Sequence, residues 1–225
     1  MLQQLRGLFK DRREFFDLNT LDDPVALKTR WSPLVSGGSS FCTHRLLSSR
    51  GIQAINSPST SLQMQVSPAA KLFCFLFISI GIVFSIMLTS FFNEPSTVTS
   101  GNMPPAIVPF FPLLFSVFGA GLLWWLYQKN VLFNKNEGIY TSKGTNFPLN
   151  EVHAIQLISE RVAGSENSYY SYEMNLVLNN AERFNVTDHG SFKAIRHDAE
   201  KLASYLSIPV WDLIDHHVQT FSPWK

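Results

Sequence analysis

Between Tyr169 and Thr187 apolar and polar positions alternate. Tyr170, Tyr172, Met174, Leu176 and Leu178 share one parity, and Phe184 and Val186 resume it after Asn179-Asn180-Ala181. A period of two, broken by a short turn-forming triplet, predicts a β-hairpin with one apolar face. Upstream, VLFNKNEGIYTS (131–142) predicts a strand, a tight turn at Asn136-Glu137-Gly138 and a return strand. From Phe147-Pro148-Leu149 through Val152, Ile155, Leu157 and Ile158 both parities are apolar, as in a strand covered on two faces. ERVAGSENS (160–168) is polar and predicts a loop.

After Ser191 the period changes. Phe192, Ile195, Ala199, Leu202, Ala203 and Leu206 keep helical spacing, with Gly190-Ser191 as break and N-cap and Pro209 as the stop. An antiparallel sheet with one apolar face needs a cover, and this amphipathic helix can supply it. Residues 129–213 therefore read as a small α+β domain, with 214–225 as an irregular tail.

Two further runs have no polar face. LFCFLFISIGIVFSIMLTSFF (72–92) and AIVPFFPLLFSVFGAGLLWWLY (106–127) carry no charge. Each exceeds the roughly 20 residues that cross a bilayer as a helix, so residues 71–128 predict a transmembrane hairpin. The connection 93–105 holds one Glu and no Lys or Arg, whereas Arg45, Arg50, Lys71, Lys129 and Lys135 flank the hairpin. The positive-inside rule then places both termini in the cytoplasm and Trp124, Trp125 and Tyr127 at the inner interface. Gly81, Ser85 and Thr89 recur every fourth residue, and Ser116 and Ala120 do the same on the second run. Such small-residue ridges admit a close neighbour, either the other helix of the hairpin or a second subunit. Pro109 and Pro112 predict a loosened or kinked start to the second span.

The first 70 residues read as a cytoplasmic segment. Leu2, Leu5, Phe9 and Phe16 lie near one helical face, with Arg6, Lys10, Arg12 and Arg13 elsewhere. This suits a helix lying on anionic lipid or one packed on the folded domain. DLNTLDDPVALKTRWSP (17–33) reads as a turn-rich linker, and Gly37-Gly38 as a turn, since no GKS or GKT follows to make a phosphate loop.

Charge adds little. Residues 1–71 hold nine Lys/Arg against five Asp/Glu, and 128–225 hold nine against eleven. Neither balance suits a nucleic-acid partner. The two cysteines, Cys42 and Cys74, form no CxxC spacing. Asp188-His189, His197-Asp198 and Asp212 with Asp215-His216-His217 tempt a metal reading. They lack a ligand spacing that would converge on one ion, and read as a turn and a solvated terminus. His153 reads as a hydrogen-bonded strand residue. No catalytic constellation and no cofactor motif is recognisable.

PLNEVHAIQL (148–157), YEMNLVLNNAERFNV (172–186) and DAEKLASYLSIPVW (198–211) together resemble the bacterial pleckstrin-homology-like (PH-like) membrane proteins. The resemblance implies a PH-like sheet closed by a C-terminal helix behind a two-helix membrane anchor, in the bacterial inner membrane. Such a sheet usually has seven strands, against five expected here, and FCTHRLL (41–47) and GIQAINS (51–57) are candidates for the missing pair. The function expected is non-enzymatic: a membrane-anchored interaction protein or accessory subunit, presenting a sheet edge or the loop at 160–169 to a protein partner, with Tyr169, Tyr170 and Tyr172 as the candidate contacts. The alternative is an anionic-lipid-binding or membrane-sensing module.

Overall fold

The computed structural model describes residues 13–35, 37–49, 61–92, 108–142, 144–163 and 168–218. The protein is α+β with four α-helices among these residues. It divides into two compact units. One comprises Met1–Cys42, Phe133–Tyr140 and Phe147–Lys225; the other comprises Thr43–Leu132 and Thr141–Asn146. Residues 13–42 thus group with the C-terminal elements, whereas the sequence reading sets them in a segment of their own.

In chain order the first elements are β1 (Glu14–Phe16), a 3-10 turn (Leu18–Leu21) and α1 (Pro24–Lys28). They are followed by β2 (His44–Ser49), β3 (Ser61–Val66), α2 (Pro68–Phe92) and α3 (Leu113–Tyr127). Next come β4 (Val131–Asn134), β5 (Ile139–Ser142), β6 (Thr145–Pro148), β7 (Val152–Ala163), β8 (Ser168–Leu178) and β9 (Arg183–His189). The chain ends with α4 (Phe192–Leu206), β10 (Val210–Asp212) and β11 (His216–Val218). The strands form sheets of order β2-β3-β4-β5-β6, β10-β7-β8-β9 and β1-β11.

In the C-terminal unit the expected hairpin is β8–β9, and Leu176 stands opposite Phe184. The expected third strand is interrupted by a 3-10 turn at Leu149–Glu151. Its second part, β7, runs on to Ala163 and converts the start of the expected 160–168 loop into strand. α4 packs on β7, β8 and β9, burying Ile195, Ala199 and Leu202. Its C-cap, Ser207, adopts the left-handed conformation and returns its N–H to Ala203 O.

The opposite face of β7–β8 is covered by the segment expected to be a linker. Asp23 caps α1 by accepting from Val25 N at 2.8 Å, and Pro24 fixes φ at the first helical position. Ala26 and Trp31 then join Ala154, Ile158, Val177, Trp211 and Leu213 in one buried cluster. Trp31 lies 5.8 Å from Trp211, ring to ring, and donates its indole N–H to Ala26 O. The linker reading fails because two apolar side chains among turn formers carry no period, yet bury enough surface to dock the segment.

Three smaller corrections follow. Phe16 belongs to strand β1 and not to a helix, while residues 1–12 lie outside the described residues. β11 pairs in parallel with β1, Glu14 opposite His216, so residues 216–218 of the expected irregular tail form a strand. FCTHRLL does supply β2, but its partner is β3, with Leu46 opposite Met64; GIQAINS lies outside the described residues.

In the other unit Ser67 precedes α2, and its hydroxyl accepts from Ala70 N in the first turn. It is long and apolar enough to cross a membrane, with a mean hydropathy of 2.6 over its most apolar window. It is the one such helix among the described residues. α3 has 15 residues and falls short of that length. Pro112 stands at its N-cap after a 3-10 turn at Val108–Phe110, so the uncharged run from 106 is not one continuous helix. Val66, Cys74 and Leu126 form this unit's buried cluster. His44 Nε2 donates to Leu126 O at 3.1 Å, satisfying a carbonyl in the last turn of α3.

Candidate interaction site

The alternation of β8 sends its two sets of side chains to different environments. Tyr170 and Tyr172 share a face with their cross-strand partners on β7, Arg161 and Ser159. α4 covers that face only as far as Phe192, which meets the Tyr172 ring edge-on at 6.2 Å. Beyond it the β1–β11 pair closes the end of the sheet. An open pocket of about 570 Å³ remains between them, lined by Arg13, Glu14, Tyr170, Tyr172, Ile214, Asp215 and His216.

Each wall has a physical cause. Arg13 lays its guanidinium 5.1 Å from the centroid of the Tyr170 ring, a cation–π contact. It also donates to Ser159 Oγ and, at 3.3 Å, to Ile214 O. Ser159 in turn donates its hydroxyl proton to Ile214 O at 2.7 Å. Arg196 on α4 reaches Asp212 at 2.5 Å and Asp215 at 2.6 Å, which fixes the turn carrying Ile214. These two carboxylates push the guanidinium further above its ordinary range, against the effect of burial. Phe16 and His216 stand 5.2 Å apart across the two terminal strands. Burial pushes the Tyr172 phenol up from its ordinary value, and the charge of Asp215 adds to the shift.

Of the three tyrosines expected to act together, Tyr169 points to the opposite face and donates to Gly37 O at 3.2 Å. Tyr170 and Tyr172 are brought together. The missing members, Arg13 and the 214–216 turn, lie at the two ends of the chain. The only sequence signal for them was the Asp212–His217 cluster. Its two carboxylates pair with Arg196, and Asp215 is at the same time exposed, as expected of a solvated end. Among the described residues no three His, Cys, Asp or Glu side chains group as a metal site. His189, expected in a turn, is fully buried at the end of β9, where Nδ1 accepts from Ser191 N. His153 does hydrogen-bond from its strand, to Asp23 at 2.8 Å. Burial opposes the Asp23 charge, but the bonds from His153, Val25 N and Ala26 N outweigh it and hold this carboxyl below its usual range.

The opposite face of the sheet carries a buried polar network that pins residues 30–39. Glu173 accepts from Leu34 N at 3.0 Å, Val35 N at 3.2 Å and Asn175 Nδ2 at 2.6 Å. Arg183 donates to Gln156 Oε1 and Ser32 O, both at 2.9 Å. Ser39 N donates to Ser171 Oγ at 2.7 Å. The Gly37-Gly38 turn is present, and both glycines have positive φ. A Cβ on Gly38 would lie 2.2 Å from that of Ser171.

The small-residue ridges on the apolar helices are partly as expected. Gly81 approaches α3 so closely that a Cβ would lie 2.3 Å from Ser116 Oγ. Ser116 donates to Ile78 O at 2.8 Å. Its neighbour in the contact is Gly119, not Ala120: Gly119 is buried against Cys74 O, while Ala120 is exposed. Ser85 is half-buried, and Thr89 is exposed with its hydroxyl bonded back to Ser85 O.

No family model, no curated protein and no solved structure matches this chain.

Proposed function

We propose that the protein is a membrane-anchored, non-enzymatic interaction protein of the bacterial inner membrane, an accessory subunit whose PH-like domain engages a protein partner at the Tyr170–Tyr172 pocket. The observation that carries this reading is the pocket itself. It is open, aromatic, ringed by both signs of charge, and lies where neither α4 nor the 30–39 segment covers the sheet. Tyr and Arg are the side chains that most often dominate protein contacts.

The anchor is read as a two-span hairpin. The exposed apolar surface of α2 calls for lipid, and the close α2–α3 contact through Gly81, Ser116 and Gly119 supports α3 as its partner. Lys71 lies 5.8 Å from the Tyr127 ring and Lys129 3.7 Å from the Trp125 ring. Cations beside aromatic rings at this end of the helices suit the headgroup layer on the positive side, with both termini cytoplasmic. The PH-like reading draws support from the antiparallel run β7–β8–β9 followed by the closing helix α4.

The same lysines favour the second reading, a module that recognises anionic lipid. One experiment separates the two: a photo-crosslinking side chain placed at Tyr170 in intact cells. A discrete protein adduct, lost when Tyr172 is changed to Ala, supports the interaction reading. Lipid adducts alone favour the lipid module, and no adduct of either kind defeats both.

A further inference from the structure

We infer that the Tyr170 slot is a docking site for an arginine-bearing extended segment of a partner protein, and that the chain's own Arg13 holds it closed. This rests on the interaction reading above and specifies the partner's chemistry. The slot has three walls: the Tyr170 ring face, Ser159 Oγ and the carbonyl of Ile214, whose residue is only 3% exposed. A π face with two neutral acceptors near its edge matches a planar guanidinium, which stacks and donates from the same group. A lysine ammonium has three donors but no planar face to stack on the ring while its edge donates.

The occupant seen in the structure reveals the backbone requirement as well. Residues 14–16 lie in parallel register with 216–218, so the segment carrying the arginine is held by strand addition on β11. Phe16 then meets His216, setting an aromatic three residues beyond the arginine. The partner chemistry is therefore arginine, two residues of extended chain, then an aromatic. The pocket beside Arg13 stays open, which gives an incoming strand a place to begin exchange. Because the internal segment is tethered, its effective concentration is of millimolar order. A partner segment meets an effectively closed site until residues 13–16 are drawn away.

The test uses the full chain in detergent and a fluorescent RREFF peptide (residues 12–16), read by anisotropy. Arg13→Ala combined with Phe16→Ala, which removes both side-chain anchors of residues 13–16, should bind the peptide at least tenfold more tightly than the unaltered chain. Adding Tyr170→Ala should abolish that binding, and the peptide RAEFF, lacking the second arginine, should not bind. Should that double variant fail to fold by circular dichroism, Arg13→Gln with Phe16→Ala keeps the first side chain's length and gives the same comparison. Equal binding by the opened and unaltered chains overturns the inference, as does binding that survives loss of Tyr170 or binding of RAEFF. A Tyr172-dependent protein adduct at Tyr170, combined with no peptide binding, leaves the interaction reading standing and removes this one alone.

Discussion

Replacing Glu173 tests whether residues 30–35 are held on the sheet by buried polar chemistry or only by Trp31. The carboxylate is 3% exposed and accepts three hydrogen bonds, from Leu34 N, Val35 N and Asn175 Nδ2. It also offsets the desolvation of Arg183, whose guanidinium burial pulls below its ordinary value. Glu173→Ala removes the acceptor from all three donors and takes from Arg183 the charge that offsets its burial. Breaking a buried charge arrangement from one side costs about 3–5 kcal/mol. Glu173→Gln keeps the shape and one acceptor but turns an NH2 towards donors, for about 2 kcal/mol. Urea unfolding of the full chain in detergent, followed by the fluorescence of the Trp31–Trp211 pair, measures both. Trypsin cleavage at Arg30 should quicken in the same order. A Glu173→Ala protein within about 1 kcal/mol of the unaltered one, with unchanged cleavage at Arg30, would show that the network contributes nothing.

Gly119→Ile should force α2 and α3 apart and lower the melting temperature in micelles, because its Cβ would sit 2.7 Å from Cys74 O. Ala120→Ile, on the exposed side, should leave melting unchanged; equal effects at the two positions would refute the observed helix phase. The depressed Asp23 carboxyl contributes stability in full above its ordinary value of 3.8 and loses it as pH falls through the lower folded value. Asp23→Asn should therefore shallow the acid limb of stability between pH 5 and 2, by a thermal-melt pH series, and an identical limb would contradict the pairing. Tyr172 binds its proton more tightly when folded, so its contribution is complete below its ordinary value of 10.0 and disappears as pH rises through the folded one. Absorbance at 295 nm should show a late-titrating phenol that Tyr172→Phe removes, and a curve unaltered by that change would count against the burial.

Legibility differs by element. β8, β9 and α4 could be read because their neighbours lie within about 30 residues and one face repeats at a fixed period, as in Tyr172, Met174 and Leu176 or Ile195, Ala199 and Leu202. SLQMQV (61–66) alternates as clearly, with Leu62, Met64 and Val66 buried, but it is short and isolated between polar stretches. The 17–39 segment could not be read, since its fit depends on Glu173 and Arg183, more than 130 residues away in sequence. The choice of Gly119 over Ala120 turns on one residue of helix rotation, which an uncharged run does not encode. Half of the pocket was visible as tyrosines; the other half is made by pairing β1 with β11 across some 200 residues.

That terminal pairing also sets how the fold meets a mechanical load. β1 and β11 run in the same direction, so tension applied at residues 13 and 218 slides the strands along each other. The three residue pairs from Glu14–His216 to Phe16–Val218 must then rupture together rather than peel one after another. Tension between residues 13 and 218 therefore loads a shear clamp, and its rupture withdraws Arg13 from Tyr170.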